Sequence, residues 1–245
     1  MQPLVLIFDL DDTLYLERDF ALSGFKAADE WLRHENGTSG LFDTCWDLFN
    51  SGDRSRIFDQ ALAILGIDAE PPMVDLLVDI YRTHQPTINL APDADRFLAR
   101  YSGMAWTGLI TDGPVATQQA KVRALGLEER LGCIIYTDAL GPGRKKPHPQ
   151  SYQLLEMWAE PSGLPMVYIA DNPLKDFVTP RSRGWLTVKL ARLERVHLVE
   201  APDTTYEAHA EIASLDQLEA CLDCIQKQRQ SWSAAKTRPV AGTVQ

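Results

Sequence analysis

The chain has 245 residues, 45% of them apolar and 24% charged, and its 34 acidic against 24 basic side chains leave a formal charge of -10. This composition excludes a disordered or fibrous chain, and the negative field opposes a polyanion, so no nucleic-acid partner is expected. A small phosphorylated metabolite stays open as a partner, because a buried cation or a bound metal outweighs a diffuse, screened surface charge at close range.

Leu4-Val5-Leu6-Ile7-Phe8 is a continuous apolar run closed by Asp9, the pattern of a strand buried on both faces of a parallel sheet. The run is too short to span a membrane and lacks the basic start and small-residue cleavage site of a signal peptide. A soluble, cytoplasmic protein without a membrane partner is therefore expected. Directly behind the run, Asp9, Asp11 and Asp12 place three carboxylates within four positions. Like charges at the end of a buried strand repel unless a cation joins them, and hard oxygen donors with no His or Cys nearby favour Mg2+ over zinc. An Asp-rich turn that only caps a helix would read the same way.

Residues 16–91 carry helix-period apolar sets (Phe25, Ala28, Leu32; Leu41, Cys45, Leu48; Ile57, Ala61, Leu65; Met73, Leu77, Ile80) and no convincing strand, which predicts an inserted helical domain. Trp31 and Trp46 are suited to stacking on a base or sugar ring, but aromatics at helical spacing more often pack a core, and Phe20 and Tyr15 share that ambiguity. Where the insert returns, Arg82 and His84 are candidates to contact a leaving group, against a plain reading as a solvated Arg and a hinge His.

Strands then alternate with helices. Residues 106–110 run into Thr111-Asp112-Gly113, residues 133–136 into Thr137-Asp138, and residues 166–170 into Asp171-Asn172-Pro173. Between them lie helical patterns at Val115, Val122 and Leu125, stopped by Gly126, and at Tyr152, Leu155 and Trp158, before Pro161. This predicts an open α/β sheet with right-handed crossovers that delivers polar residues to its carboxyl edge. Residues 209–213 read as a short strand, and Ser214-Leu215-Asp216-Gln217 as a capping box opening a helix with Leu218 and Leu222 on one face. Residues 1–15 and 92–230 would form the α/β core, and 231–245 a disordered tail. The four cysteines are too sparse for a disulfide scaffold, and Cys221-x-x-Cys224 lacks the second pair of a zinc site.

Phe8-Asp9-Leu10-Asp11-Asp12-Thr13-Leu14 resembles the first motif of the haloacid dehalogenase superfamily, Asp-x-Asp-x-Thr after an apolar strand. The second motif, a Thr or Ser after another strand, is matched by Thr111 in Leu109-Ile110-Thr111-Asp112-Gly113. The third, a Lys in Lys-Pro-x-Pro, is matched by Lys146-Pro147-His148-Pro149, and the fourth, an acidic pair, by Asp171 and Asp176. The resemblance spans residues 4 to about 190 and implies a Rossmann-like parallel sheet with helices on both faces plus an inserted α-helical cap.

It also implies phosphatase chemistry. Asp9 would be the nucleophile that forms an aspartyl-phosphate, and Asp11 the acid for the leaving oxygen and then the base for water. Thr111 and Lys146 would hold the phosphoryl oxygens, with Asp112, Gly113, Arg82 and His84 as further substrate-binding candidates. Mg2+ would sit on Asp9, the Asp11 carbonyl and Asp171, with Asp176 completing the site or orienting Lys146. An acid at Asp11 favours ester hydrolysis over halide displacement, in which no alkoxide needs a proton. A phosphomutase, or a binding module with the same fold and no turnover, are the alternatives. Ala170 stands where the family often has Gly, and Pro173 stiffens the loop before Asp176. Lys145, next to the Pro-adjacent Lys146, reads as solvated, and Asp12 and Asp112 as turn residues outside catalysis.

Overall fold

A computed structural model describes residues 3–52, 54–101, 106–225 and 227. The tail expected at 231–245 lies outside the described residues. Strands β1 (Val5–Phe8), β2 (Trp106–Thr111), β3 (Cys133–Tyr136), β4 (Met166–Ala170), β5 (Leu186–Leu190) and β6 (Ala210–Ile212) form one sheet in the order β3-β2-β1-β4-β5-β6. Every pairing is parallel. The chain builds outward from β1 to β3 on one side and then from β4 to β6 on the other, so the order reverses at β1, the point where open α/β sheets leave a crevice at their carboxyl ends.

Period-two alternation buries both faces. Leu4, Leu6 and Phe8 join one cluster with Phe97, Val122 and Leu218, whereas Val5 and Ile7 join the opposite cluster with Tyr152, Leu155 and Phe177. Helices α5 (Pro92–Tyr101), α6 (Val115–Ala124), α7 (Gln150–Ala159) and α8 (Val178–Ser182) complete these layers, after the four helices described below. The capping box forms in a shifted version: Ser214 Oγ accepts from Asp216 N–H, and Gln217 Oε1 accepts from Ala213 N–H at 2.8 Å. Residues 218–225 are helical, with Leu218 and Leu222 fully buried. No disulfide joins the four cysteines, and among the described residues no helix is long and apolar enough to cross a membrane.

Between β1 and α5 run α1 (Glu17–Asn36), α2 (Leu41–Ser51), α3 (Ile57–Ile64) and α4 (Pro71–Thr83), packed around an apolar cluster of their own. Phe25 sits at its centre, with ring centroids 6.1 Å from Phe49, 5.9 Å from Phe58 and 5.2 Å from Tyr81. Trp31 and Trp46 pack against this cluster, Trp46 stacked on Phe42 and Phe49, so their rings serve packing within the helical layer. The last of these helices, α4, ends at Thr83, and Ile88 belongs to the cluster under the sheet.

Gly24 lets α1 and α4 approach closely, because a Cβ there would lie 2.5 Å from Tyr81 Cδ2 and 3.2 Å from His84 Cε1. The Tyr81 ring is wedged among Phe20, Phe25 and Phe58 and has little room to yield. Overpacking should exceed the helix-propensity gain, so Gly24→Ala is expected to lower stability by about 1–2 kcal/mol in urea unfolding. A neutral or stabilising result would show that the contact relaxes freely.

Candidate active site

β1 and β4 end side by side, and the Asp9 N–H donates to the Ile169 carbonyl at 2.9 Å, which holds the first Asp of one loop against the base of the next. Asp9, Asp171 and Asp176 each offer an oxygen within 4.8 Å of the others, and all three are buried. Burial pushes the Asp9 carboxyl up to about 7 despite the opposing charge of Lys146. Burial, then Asp9 and Asp176, push Asp171 up to about 9. Three buried carboxylates gathered this closely form a donor set suited to a hard divalent cation. Lys146 supplies the positive charge on the other flank, with Nζ 2.5 Å from Asp9 Oδ1, 2.7 Å from Asp176 Oδ1 and 3.2 Å from the Tyr168 hydroxyl. Although burial disfavours its charge, Asp176 and Asp9 outweigh it and hold the Lys146 ammonium well above the usual range.

The Asp11 carboxylate lies outside this cluster, and the metal donor expected at that residue is its carbonyl. Lys121 Nζ donates to its Oδ1 at 2.7 Å, Gln118 Nε2 to its Oδ2 at 3.0 Å, and the Tyr15 hydroxyl also donates to it. Burial alone would raise its pKa, but the Lys121 charge and the hydrogen bonds from Lys121, Tyr15 and Gln118 bring it down to about 2. Gln118 Nε2 also reaches Thr111 Oγ1 at 2.7 Å, so Asp11 and Thr111 share one amide. Lys121 Nζ rests 4.3 Å from the Phe20 ring centroid, and this cation–π contact accounts for the aromatic next to the first loop.

Asp112 and His84, both expected at the substrate, hydrogen-bond to framework groups. Asp112 Oδ1 accepts from the Thr137 hydroxyl at 2.6 Å and from Lys146 N–H at 3.1 Å, tying the loop after β2 to the one that carries Lys146. His84 Nδ1 lies 2.8 Å from the Tyr81 carbonyl and Nε2 2.9 Å from the Ser23 hydroxyl, fastening the end of α4 to α1. Gly113 has φ 130°, and a Cβ there would meet Gln118 Nε2 at 3.2 Å, so its role on view is to admit the amide. Arg82 is exposed on α4, and its carbonyl accepts from the Thr117 hydroxyl. Asp12, at φ 54°, caps two neighbouring segments through the N–H groups of Glu17 and Val196. Lys145 is largely exposed beside Asp138, while Lys146 is buried.

Gln118, Lys121, Tyr168 and Lys175 join the site although none of them belongs to the four motifs. The first two had a signal: at a 3.6-residue period they fall on the stripe that continues through Val122 and Leu125, where polar side chains need a polar partner across the interface. Lys175 Nζ stands 3.5 Å from Asp112 Oδ2.

A glyceraldehyde 3-phosphate phosphatase from Pyrococcus furiosus is 30% identical over 158 residues, which cover 61% of this chain and 64% of that protein. A 2-haloacid dehalogenase from Pseudomonas syringae shares the fold at 22% identity and a TM-score of 0.58, with 91% of this chain and 99% of that one covered. A HAD-hydrolase from Bacillus subtilis, bound to magnesium, does so at 18% identity and a TM-score of 0.59, covering 91% and 100%. The family model of the haloacid dehalogenase-like hydrolases matches residues 4–173, from β1 through the Asp171 loop, and the chain belongs to that family.

Proposed function

We propose that the chain is a Mg2+-dependent phosphatase that hydrolyses a small phosphorylated metabolite, a sugar phosphate or nucleotide monophosphate, through an aspartyl-phosphate on Asp9. The observation that carries this reading is the Asp11 carboxylate, which stands apart from the Asp9, Asp171 and Asp176 cluster and shares the Gln118 amide with Thr111. A departing halide needs no proton donor, whereas a departing alkoxide does. The phosphatase name of the Pyrococcus relative agrees with it.

In this mechanism an Asp9 oxygen attacks phosphorus, the ester P–O bond breaks, and Asp11 protonates the leaving oxygen. Asp11 then takes a proton from the water that attacks the aspartyl-phosphate, releasing inorganic phosphate and restoring Asp9. Thr111 donates its hydroxyl to a phosphoryl oxygen, and Lys146 turns its ammonium from the carboxylates toward the same group. Lys121 holds Asp11 ionised, the form that water activation needs. For the acid step, a bound dianionic phosphate raises the proton affinity of Asp11 and competes for Lys121. A divalent cation on Asp9, Asp171 and Asp176, with the Asp11 carbonyl, would neutralise charge between nucleophile and phosphate.

Hydrolysis of 4-nitrophenyl phosphate is expected to vanish with chelator and return with Mg2+. Inorganic phosphate as the product, rather than an isomerised sugar phosphate, separates a phosphatase from a mutase. Metal binding has a second readout. Asp9 and Asp171 are raised to about 7 and about 9, so each stabilises the metal-free fold fully only below its usual value of 3.8, and that stability is lost as pH rises through the raised values. Mg2+ should therefore raise the Tm of chelated protein more at about pH 9 than at about pH 6. An equal shift at both would remove the carboxylate cluster as the binding site.

A further inference from the structure

We infer that Lys175 is a second phosphoryl-binding cation: its ammonium rests on Asp112 in the free protein and moves onto a phosphoryl oxygen when a phosphate monoester, or the inorganic phosphate released from it, occupies the site. This rests on the phosphatase reading and adds to it a binding residue outside the four motifs.

The turn after β4 aims two neighbouring side chains at different targets. The Asn172 carbonyl accepts from the N–H groups of Lys175 at 3.3 Å and Asp176 at 3.1 Å, and Asp176 Oδ2 accepts in return from the Asn172 N–H at 3.1 Å. Closed in this way, the turn sends Asp176 to the Lys146 ammonium at 2.7 Å and Lys175 to Asp112 Oδ2 at 3.5 Å. Asp112 directly follows Thr111, and its other oxygen, Oδ1, accepts from the Lys146 N–H at 3.1 Å. The Lys175 ammonium thus sits on the carboxylate that joins the Thr111 loop to the Lys146 loop. Thr111 and Lys146 are the residues that would hold the phosphoryl oxygens, so a cation on a flexible stem at the junction of their loops has the same group within its swing.

The way Lys175 is held sets it apart from the other two lysines of the site. Lys146 Nζ lies 2.5 Å from Asp9 and 2.7 Å from Asp176, and Lys121 Nζ 2.7 Å from Asp11, the distances of charge-assisted hydrogen bonds between buried groups. Lys175 stands at 3.5 Å with 33% of its side chain exposed, and Asp112 is its one ion-pair partner among the described residues. A loose, half-exposed pair contributes little to the fold, whereas a dianionic phosphate offers the ammonium a stronger acceptor. Burial and the Lys146 charge work against that ammonium, but Asp176, Asp9 and Asp112 hold it above its usual range, so it is charged when a phosphate arrives.

The test is affinity for inorganic phosphate at saturating Mg2+, read as the Kd in calorimetry, where no turnover intervenes, and as the Ki against 4-nitrophenyl phosphate. Lys175→Met, which keeps the aliphatic stem, should weaken phosphate about tenfold or more in both readouts, and Lys175→Arg should recover most of that loss. Asp112→Asn is the decisive arm. The amide keeps an oxygen for the Thr137 hydroxyl and the Lys146 N–H but releases the Lys175 ammonium, so phosphate should bind at least as tightly as in the parent. A pair that only latches two loops predicts the opposite, because both variants break it and should weaken phosphate alike. Binding by Lys175→Met within about twofold of the parent, or a loss in Asp112→Asn as large as in Lys175→Met, would overturn this inference and leave the phosphatase reading standing. Ester hydrolysis that phosphate neither inhibits nor binds against would do the same. A parent that neither binds phosphate nor hydrolyses 4-nitrophenyl phosphate would overturn the phosphatase reading and this inference with it.

Discussion

Asp9→Asn should lower turnover of any phosphate ester by about 10⁴-fold or more while leaving the chelated protein at least as heat-stable as the parent. The substitution keeps the size of the side chain and an oxygen for Lys146, but an amide does not displace an alkoxide to form a phospho-enzyme. The stability half follows from electrostatics. Burial and the neighbouring Asp176 charge push the Asp9 carboxyl up to about 7, so its ionised form burdens the metal-free fold near neutral pH. Lys146 keeps Asp176 at 2.7 Å after the change, so no ammonium is stranded. Phosphate release and a thermal melt of the same preparation decide the matter. Undiminished turnover would remove Asp9 as nucleophile, and a large fall in Tm would show that the Asp9–Lys146 pair holds the fold rather than the chemistry.

The carboxyl edge of the sheet is legible in the sequence because β1 and β4 are purely apolar and stop at an Asp, and the four motifs name Asp9, Thr111, Lys146, Asp171 and Asp176 in order. β5 hides because Thr187 and Lys189 interrupt its apolar run. Yet Thr187 is fully buried against His209, and Lys189 pairs with Glu211 of the adjacent strand at 3.1 Å. Helix α5 carries its own mark in Pro92, Asp93 and Asp95 of its first turn. Side-chain direction is the part that spacing does not encode. Asp112 faces a hydroxyl 25 residues further on, and His84 a serine 61 residues back, partners that local spacing does not announce. The same limit hid the clamp on Asp11, whose Lys121 lies 110 residues downstream.

Asp93→Ala is expected to cost about 3–5 kcal/mol of unfolding free energy, more than any single truncation of an exposed ion pair in this chain. Asp93, at the start of α5, is buried with Arg192 at 3.0 Å, and it also accepts from Leu215 N–H at 2.7 Å, the Ser214 hydroxyl at 2.9 Å and Ala94 N–H at 2.9 Å. Arg192 in turn donates to the Thr13 carbonyl at 3.0 and 2.7 Å, so one carboxylate joins α5, the start of the last helix, the loop after β5 and the first catalytic loop. Removing it leaves the buried Arg192 guanidinium without its counter-charge, and the Leu215 and Ala94 N–H groups and the Ser214 hydroxyl without their acceptor. Burial works against the Asp93 charge, but the Leu215 N–H, the Arg192 charge and the Ser214 hydroxyl outweigh it and hold the carboxyl below its usual 3.8. A depressed pKa contributes stability above the unfolded value that is lost as pH falls through the folded one, so the parent should weaken below about pH 4 and the variant should show a shallower acid limb. Urea titrations at neutral and acid pH measure both effects. A neutral-pH loss under about 1 kcal/mol, or parallel acid limbs, would mean that the four segments are held by their apolar contacts and that the clasp is incidental.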